Sequence, residues 1–290
     1  GDIDADGDID LITDSNGPGA DPTTVFWNDG EGGFTMGPQL LAGWGFGEVD
    51  LADIDADGDL DVVRASYFSN GVYFFRNNGD STFEPGIFYS GGGGCIGVIF
   101  TDIDGDKDPD FVALDKFGGQ IRPYRNINGL GFNSVGLFAC GADPYTIEAA
   151  DMDGDGDQDI VVGNEDSSTV TIAYNDGSGA FLTTQTVPVG ERPTGIALAD
   201  LNADGATDIV AANWGPLSPV SNTISIVLAS SSQRDRYSHQ NATSPSAPLH
   251  PRSRPMAVDA QYVATRSTQS APRRGRTRPR RSASAYARRR

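Results

Sequence analysis

One nine-residue pattern recurs five times through this chain: DIDADGDID from Asp2, DIDADGDLD from Asp53, DIDGDKDPD from Asp102, DMDGDGDQD from Asp151 and DLNADGATD from Asp200. The copies start 51, 49, 49 and 49 residues apart. A fixed period near 50 demands a repeated supersecondary unit whose apolar face is buried against its neighbours, as in propellers and solenoids.

A second landmark keeps step with the first. NDGEGGF ends at Phe34, NNGDSTF at Phe83, NINGLGF at Phe132 and NDGSGAF at Phe181; the last three end 30 residues after the first Asp of their copies. In the first copy the offset is 32, with two extra residues in the loop that contains GPGAD. Ahead of each later acidic loop lies a short segment of small and apolar residues (GEVDLA, IGVIFT, YTIEAA, TGIALA), and behind it a β-rich run (LDVVRAS, PDFVALD, QDIVVGN, TDIVAAN). A third run follows (TVFWN, VYFFRN, QIRPYRN, TVTIAYN, TISIVL), then the Asn/Asp/Gly landmark as a hairpin turn whose Phe opens a fourth strand. Four strands per unit of this length make the blade of a β-propeller. A parallel β-helix is the alternative, but its coils repeat at about half this length or less.

The expected fold is therefore all-β: a β-propeller of four-stranded blades over residues 1–229, with three complete repeats and partial first and last ones. That makes it part of a larger, about seven-bladed propeller. The first copy lacks the strand before its loop, and the fifth loses the pattern after its third strand, where ASSSQRDRYSH stands in place of the turn motif.

Charge changes abruptly at the same point. Residues 1–230 hold 7 Lys+Arg against 38 Asp+Glu, a net of −31, while residues 231–290 hold 14 Arg and 2 Asp, a net of +12. This second segment, rich in Arg, Ser, Pro and Ala, has too few large apolar residues to offset the entropy of ordering, so residues 230–290 are read as a disordered tail. Such text is what a shifted reading frame in GC-rich coding DNA produces. A basic linker or nucleic-acid-binding tail is the other reading, opposed by the absence of aromatics within RRGRTRPRR and by the acidity of the body. No apolar run approaches the ~18 residues of a membrane span, and no leader is visible in a chain that opens in mid-motif at Gly1. Cys95 and Cys140 read as free thiols ahead of a disulfide between neighbouring repeats.

The nine-residue loop has the form D-x-D-x-D-G-x-x-D. Acids at positions 1, 3 and 5 converge when the chain curls tightly, and Gly at position 6 permits the curl. The acid at position 9 closes the ring, and position 7 adds a carbonyl. Two carboxylates ~4 Å apart repel by about 1 kcal/mol in water and about 4 kcal/mol near a protein surface, so four in one turn call for a cation. An all-oxygen shell of flexible geometry favours Ca²⁺ over Mg²⁺ or zinc. The candidate ligands are Asp2, Asp4, Asp6, Asp8 and Asp10; Asp53, Asp55, Asp57, Asp59 and Asp61; Asp102, Asp104, Asp106, Asp108 and Asp110; Asp151, Asp153, Asp155, Asp157 and Asp159; and Asp200, Asn202, Asp204, Ala206 (through its carbonyl) and Asp208. Up to five Ca²⁺ sites follow. Those at 102–110, with Lys107 at position 6, and 200–208, with Asn202 at position 3, are the weakest by sequence. An EF-hand is excluded, because position 12 is Thr13, Arg64, Ala113, Val162 or Ala211 rather than Glu, and positions 10 and 11 already read as strand.

With the landmark N-x-G-x-G-x-F behind it, this loop resembles the FG-GAP or VCBS repeat of integrin α-subunit propellers and many bacterial secreted proteins. The resemblance covers residues 1 to about 229. It implies Ca²⁺ held by the matching aspartates on one face of a propeller, and a secreted or cell-surface location. It is specific for fold and weakly specific for function.

The leading functional expectation is a non-catalytic, extracellular binding or adhesion module for a protein or glycan ligand, with no nucleic-acid partner for the acidic body. A propeller-based polysaccharide lyase, dehydratase or other secreted hydrolase is the rival, and a purely structural repeat of a large surface protein the third reading. Against catalysis, residues 1–230 contain no histidine and only Lys107 and Lys116 as amines. Trp27, Trp44 and Trp214 are read as blade-packing residues ahead of sugar platforms.

Overall fold

A computed structural model describes residues 1–14, 22–41, 43–215 and 222–229. The arginine-rich segment 230–290 and most of the GPGAD loop lie outside the described residues.

Among the described residues the regular structure is all strand, in five antiparallel sheets that follow the repeat. The first holds β1 (Leu11–Thr13), β2 (Thr23–Asn28) and β3 (Phe34–Leu40). The second holds β4 (Val49–Ala52), β5 (Asp61–Ser66), β6 (Gly71–Phe75) and β7 (Ile87–Ser90). In the third, β8 (Val98–Thr101), β9 (Asp110–Asp115) and β10 (Gln120–Asn126) are followed by a split outer strand, β11 (Phe132–Ser134) and β12 (Phe138–Ala139), both paired with β10. The fourth holds β13 (Pro144–Ala150), β14 (Asp159–Asn164), β15 (Thr169–Tyr174) and β16 (Thr183–Pro188), and the fifth β17 (Pro193–Ala199), β18 (Asp208–Asn213) and β19 (Thr223–Val227). Strand order within each sheet is sequence order, the up-and-down meander of a propeller blade.

In the second, third and fourth sheets the strand after the acidic loop carries a continuous apolar run because it is covered on both faces. β5, β9 and β14 are buried along their whole length. Four apolar cores alternate with the sheets. Val62 and Phe75 meet Leu40 of the first sheet; Val63, Val72 and Phe74 meet Phe111, Tyr124 and Phe132 of the third. Ile103, Leu114 and Ile121 meet Ile147, Ile160 and Phe181, and Val161, Val170 and Ile172 meet Ile196, Ile209 and Val227. The leading strands β4, β8, β13 and β17 lie against one another in succession. Arg64, fully covered among the apolar groups, pairs with Asp14, just beyond β1, at 2.8 Å.

The landmark Phe opens the fourth strand in the first and third sheets only. In the second, Phe83 makes a single bridge to Asn77, and pairing resumes at Ile87, beyond Pro85, which has no N–H to give a ladder. In the fourth, Phe181 is drawn into the core edge-to-face with Phe138 of the preceding sheet, and β16 begins two residues later. Both cysteines are free thiols; burial pushes each up to about 12.

Candidate metal loops and the opposite face

The last four acidic loops join the first strand of a sheet to the second, the first loop leads into β1, and the loops curl around their own first carboxylate. The N–H of Gly7 donates to Asp2 at 3.1 Å, that of Gly58 to Asp53 at 3.0 Å, that of Lys107 to Asp102 at 2.9 Å and that of Gly205 to Asp200 at 2.8 Å. The N–H at position 7 donates to the carboxylate at position 5 in all five copies, at 2.8–3.0 Å. Position 6 has positive φ throughout, including Lys107 at 76°, the position where the sequence predicts a cost for losing glycine. Position 4 is also left-handed, occupied by Ala5, Ala56, Gly105, Gly154 and Ala203, which the sequence reading missed. Every loop keeps glycine at one of the two positions at least, which limits the strain of roughly 1–2 kcal/mol that a non-glycine residue brings there.

The curl brings three carboxylates together in four of the five loops, with an oxygen from each within 4.8 Å of the others: Asp2, Asp4 and Asp6; Asp53, Asp55 and Asp57; Asp102, Asp104 and Asp110; Asp151, Asp153 and Asp159. The fifth loop, with Asn202, forms no such carboxylate triad among the described residues. Buried oxygens of Asp2, Asp4, Asp55 and Asp104 have no hydrogen-bond donor. A hard cation supplies what these oxygens lack, so the residues fit an oxygen-ligated ion. Burial, together with the charges of Asp10 and Asp6, raises the Asp4 carboxyl, and burial with the Asp155 charge lifts Asp153 to about 6.

The carboxylate at position 9 does more than close a ring. It is buried in every copy and accepts two backbone N–H groups: from position 2 of its own loop and from the landmark position at the end of the strand that pairs with the one behind the loop. Asp10 takes Ile3 and Asn28 at 2.8 and 2.9 Å, Asp61 takes Ile54 and Asn77 at 3.1 and 2.7 Å, and Asp110 takes Ile103 and Asn126 at 2.9 and 2.6 Å. Asp159 takes Met152 and Asn175, both at 2.8 Å, and Asp208 takes Leu201 and Ala229 at 3.0 and 2.7 Å. Burial lifts Asp61 and Asp110 to about 6 and Asp159 to about 7, although these N–H bonds pull the other way.

The landmark Asn then ties one sheet to the one before it. Its Nδ2 donates to the carbonyl at position 8 of its own loop and to the carbonyl at position 2 of the preceding loop. Asn77 reaches Leu60 at 3.2 Å and Ile3 at 2.7 Å, Asn126 reaches Pro109 at 3.2 Å and Ile54 at 2.9 Å, and Asn175 reaches Gln158 at 3.1 Å and Ile103 at 2.8 Å. At position 7, the side chains of Asp8, Asp59 and Asp157 lie against Gly30, Gly79 and Gly177 of the hairpin turn, where a Cβ would collide with them. Asp106, Asp108, Asp155 and Asp204 stay outside the convergent groups, and Ala206 is buried.

The ends of the sheets away from these loops carry a different chemistry. Trp44, Phe68 and Phe117 are 62, 64 and 70% exposed. They flank a cluster in which Phe46 stacks on Tyr67 at 5.1 Å and Tyr67 meets Phe68 and Phe117 at 5.0 and 5.9 Å. Beyond Phe117, the Lys116 Nζ lies 2.9 Å from Asp143 and 3.2 Å from Glu165, and 4.8 Å over the Tyr145 ring. Arg192 donates from Nε to Glu165 at 2.9 Å and lies 4.8 Å over the ring of Trp214, itself 47% exposed. Burial would raise Glu165, but the hydrogen bonds and charges of Arg192 and Lys116 hold it below its ordinary value. Trp44 and Trp214 are thus surface rings rather than blade packing, because they stand in the strand-connecting segments that no neighbouring sheet covers.

Four overlapping stretches, residues 2–64, 53–113, 102–162 and 151–211, match the family described as the FG-GAP-like repeat. No curated protein is similar enough to this chain to count as a match. Solved structures are similar. A candidate 6-phosphogluconolactonase from Bacteroides uniformis is 16% identical with a TM-score of 0.53, over 75% of this chain and 63% of that one. A Lactobacillus plantarum protein is 14% identical with a TM-score of 0.53, over 73% and 62%. An Agrocybe aegerita lectin that recognises non-reducing terminal N-acetylglucosamine is 24% identical with a TM-score of 0.49, over 78% and 61%. The chain spans about three fifths of the length of each.

Proposed function

The chain belongs to the FG-GAP-like repeat family, and on that premise we propose that it is an extracellular, calcium-stabilised β-propeller whose ligand, a glycan, docks on the face opposite its metal loops. The observation that carries this reading is the division of labour between the two faces. Convergent carboxylates with donorless oxygens occupy one, and exposed rings beside buttressed ion pairs occupy the other. Aromatic faces with fixed polar groups at their edge suit sugar rings, which present C–H surfaces and hydroxyls together. The ion pairs neutralise Lys116 and Arg192 locally, which favours a neutral sugar over a polyanion. Calcium at the millimolar level found outside cells fills even loose oxygen sites.

Two measurements test the two halves. Chelation with EDTA lowers the melting temperature and Ca²⁺ restores it, by at least about 2.7 kcal/mol of stabilisation at a hundred times the dissociation constant; a transition indifferent to EDTA overturns the calcium reading. On a glycan array the chain binds, and Trp44→Ala and Phe117→Ala abolish binding without changing the melting temperature. Cleavage of a polysaccharide by the protein would instead favour the lyase reading.

A further inference from the structure

The residue immediately before the landmark Asn distinguishes the loops from one another. It is Trp27, Arg76, Arg125, Tyr174 and Leu228 in the five copies. Arg76 pairs through Nη1 with Asp55 Oδ2 at 2.5 Å, and its Nη2 donates to the carbonyl of Gly129 in the turn of the next sheet. Arg125 repeats this arrangement: Nε lies 2.5 Å from Asp104 Oδ2, and Nη2 donates to the carbonyl of Ser178 in the turn of the following sheet at 2.6 Å. Asp55 and Asp104 hold position 3 of their loops, and in each the second oxygen, Oδ1, is buried without a donor. Among the described residues, the carboxylates of the first, fourth and fifth loops have no ion pair.

We infer that Arg76 and Arg125 are built-in counter-ions that set a calcium hierarchy, the second and third loops being weak sites that hold without metal and the first and fourth being tight sites that require it. This rests on the calcium reading above. A guanidinium keeps its charge at any physiological pH. Sitting beside a ligand carboxylate, it both repels an arriving divalent ion and takes half of that carboxylate's electron-pair donation. Oδ1 remains available, so the second and third sites are weakened by about ten- to a hundredfold rather than abolished. The same guanidinium fastens its loop to the next sheet's turn, so the contacts from the second sheet to the third and from the third to the fourth survive metal removal. Trp27 and Tyr174 provide no charge, and among the described residues the carboxylates of the first and fourth loops make no ion pair.

The test is a calcium titration of the full chain by equilibrium dialysis, with hydrogen exchange followed in Ca²⁺ and in EDTA. The expected result is that Asp4→Asn and Asp153→Asn each remove one tight equivalent, that Asp55→Asn and Asp104→Asn remove none, and that Arg76→Met and Arg125→Met each add one. EDTA should speed exchange at residues 1–10 and 151–159 at least tenfold and leave 53–61 and 102–110 within twofold. Equal affinity at all loops, or loss of a tight equivalent on Asp55→Asn or Asp104→Asn, overturns the hierarchy while leaving the calcium reading intact. Absence of binding to wild type and both Arg variants overturns both, and binding gained only in the Arg variants keeps the counter-ion role while removing the first and fourth loops as sites. The Asp→Asn series decides the question by itself should an Arg variant fail to fold.

Discussion

At the scale of single residues, the aspartates of one loop are not equivalent. Those at positions 1 and 3 converge in four of the five loops, joined by position 5 in the first two and by position 9 in the third and fourth, and the one at position 9 also accepts two backbone N–H groups in every copy. Hydrogen bonds to a buried charge are worth about 1.5–3 kcal/mol, and an amide offers an N–H where a second acceptor is needed. Asp61→Asn is therefore expected to cost about 2–3 kcal/mol in urea unfolding, and to cost it in EDTA as well as in Ca²⁺. A penalty seen only with Ca²⁺ would make Asp61 a metal ligand and nothing more. The spacing in the sequence identified these acids as a set, but not this division. The partner N–H of Asn77 lies 16 residues further on and meets Asp61 only because a hairpin returns there.

At the scale of elements, the landmark Asn is the joint between successive sheets. Its amide spans two carbonyls from two loops that are otherwise unconnected by covalent chain nearby. Asn126→Ala leaves the carbonyls of Ile54 and Pro109 without that donor. It should lower stability by about 1–3 kcal/mol, read as a shift in the urea midpoint. Asn126→Asp should do no better, since a carboxylate cannot donate. In the fifth sheet the backbone N–H of Ala229 still meets Asp208, but no side-chain amide accompanies it. The motif NxG read as a turn is a turn, yet its first residue works across the sheet boundary. No local pattern announces that, because the preceding loop lies 72 residues away in sequence.

At the scale of the whole molecule, the leading strands gather acids from different sheets. Burial pushes the carboxyl of Glu48 up to about 8, with Glu148 and Asp50 adding their repulsion against the backbone bond from Val98. Unfolded, the group ionises near 4.5; folded, it keeps its proton to about 8. The folded form binds the extra proton between those values, so this contribution is complete below pH 4.5 and is lost as pH rises through 8. Glu48→Gln should make stability at saturating Ca²⁺ flatter between pH 5 and 8 and raise the melting temperature at pH 8.5. An unchanged pH profile would place the sensitivity elsewhere, in the position-9 aspartates.

The sequence by itself determined the all-β repeat, the four strands of each unit, the acidic loops and the glycine-dependent curl. Each of these is local, set by spacing, turn chemistry and alternation within about fifty residues. The tertiary structure decided the rest. It set the position-9 aspartates against two backbone N–H groups each, put Arg76 and Arg125 against two of the five loops, and turned Trp44 and Trp214 out to the surface. The reason is that these outcomes depend on which sheet lies beside which, and on which connecting segments the neighbouring sheet leaves bare. A repeat pattern states that neighbours exist; only their packing states which groups meet.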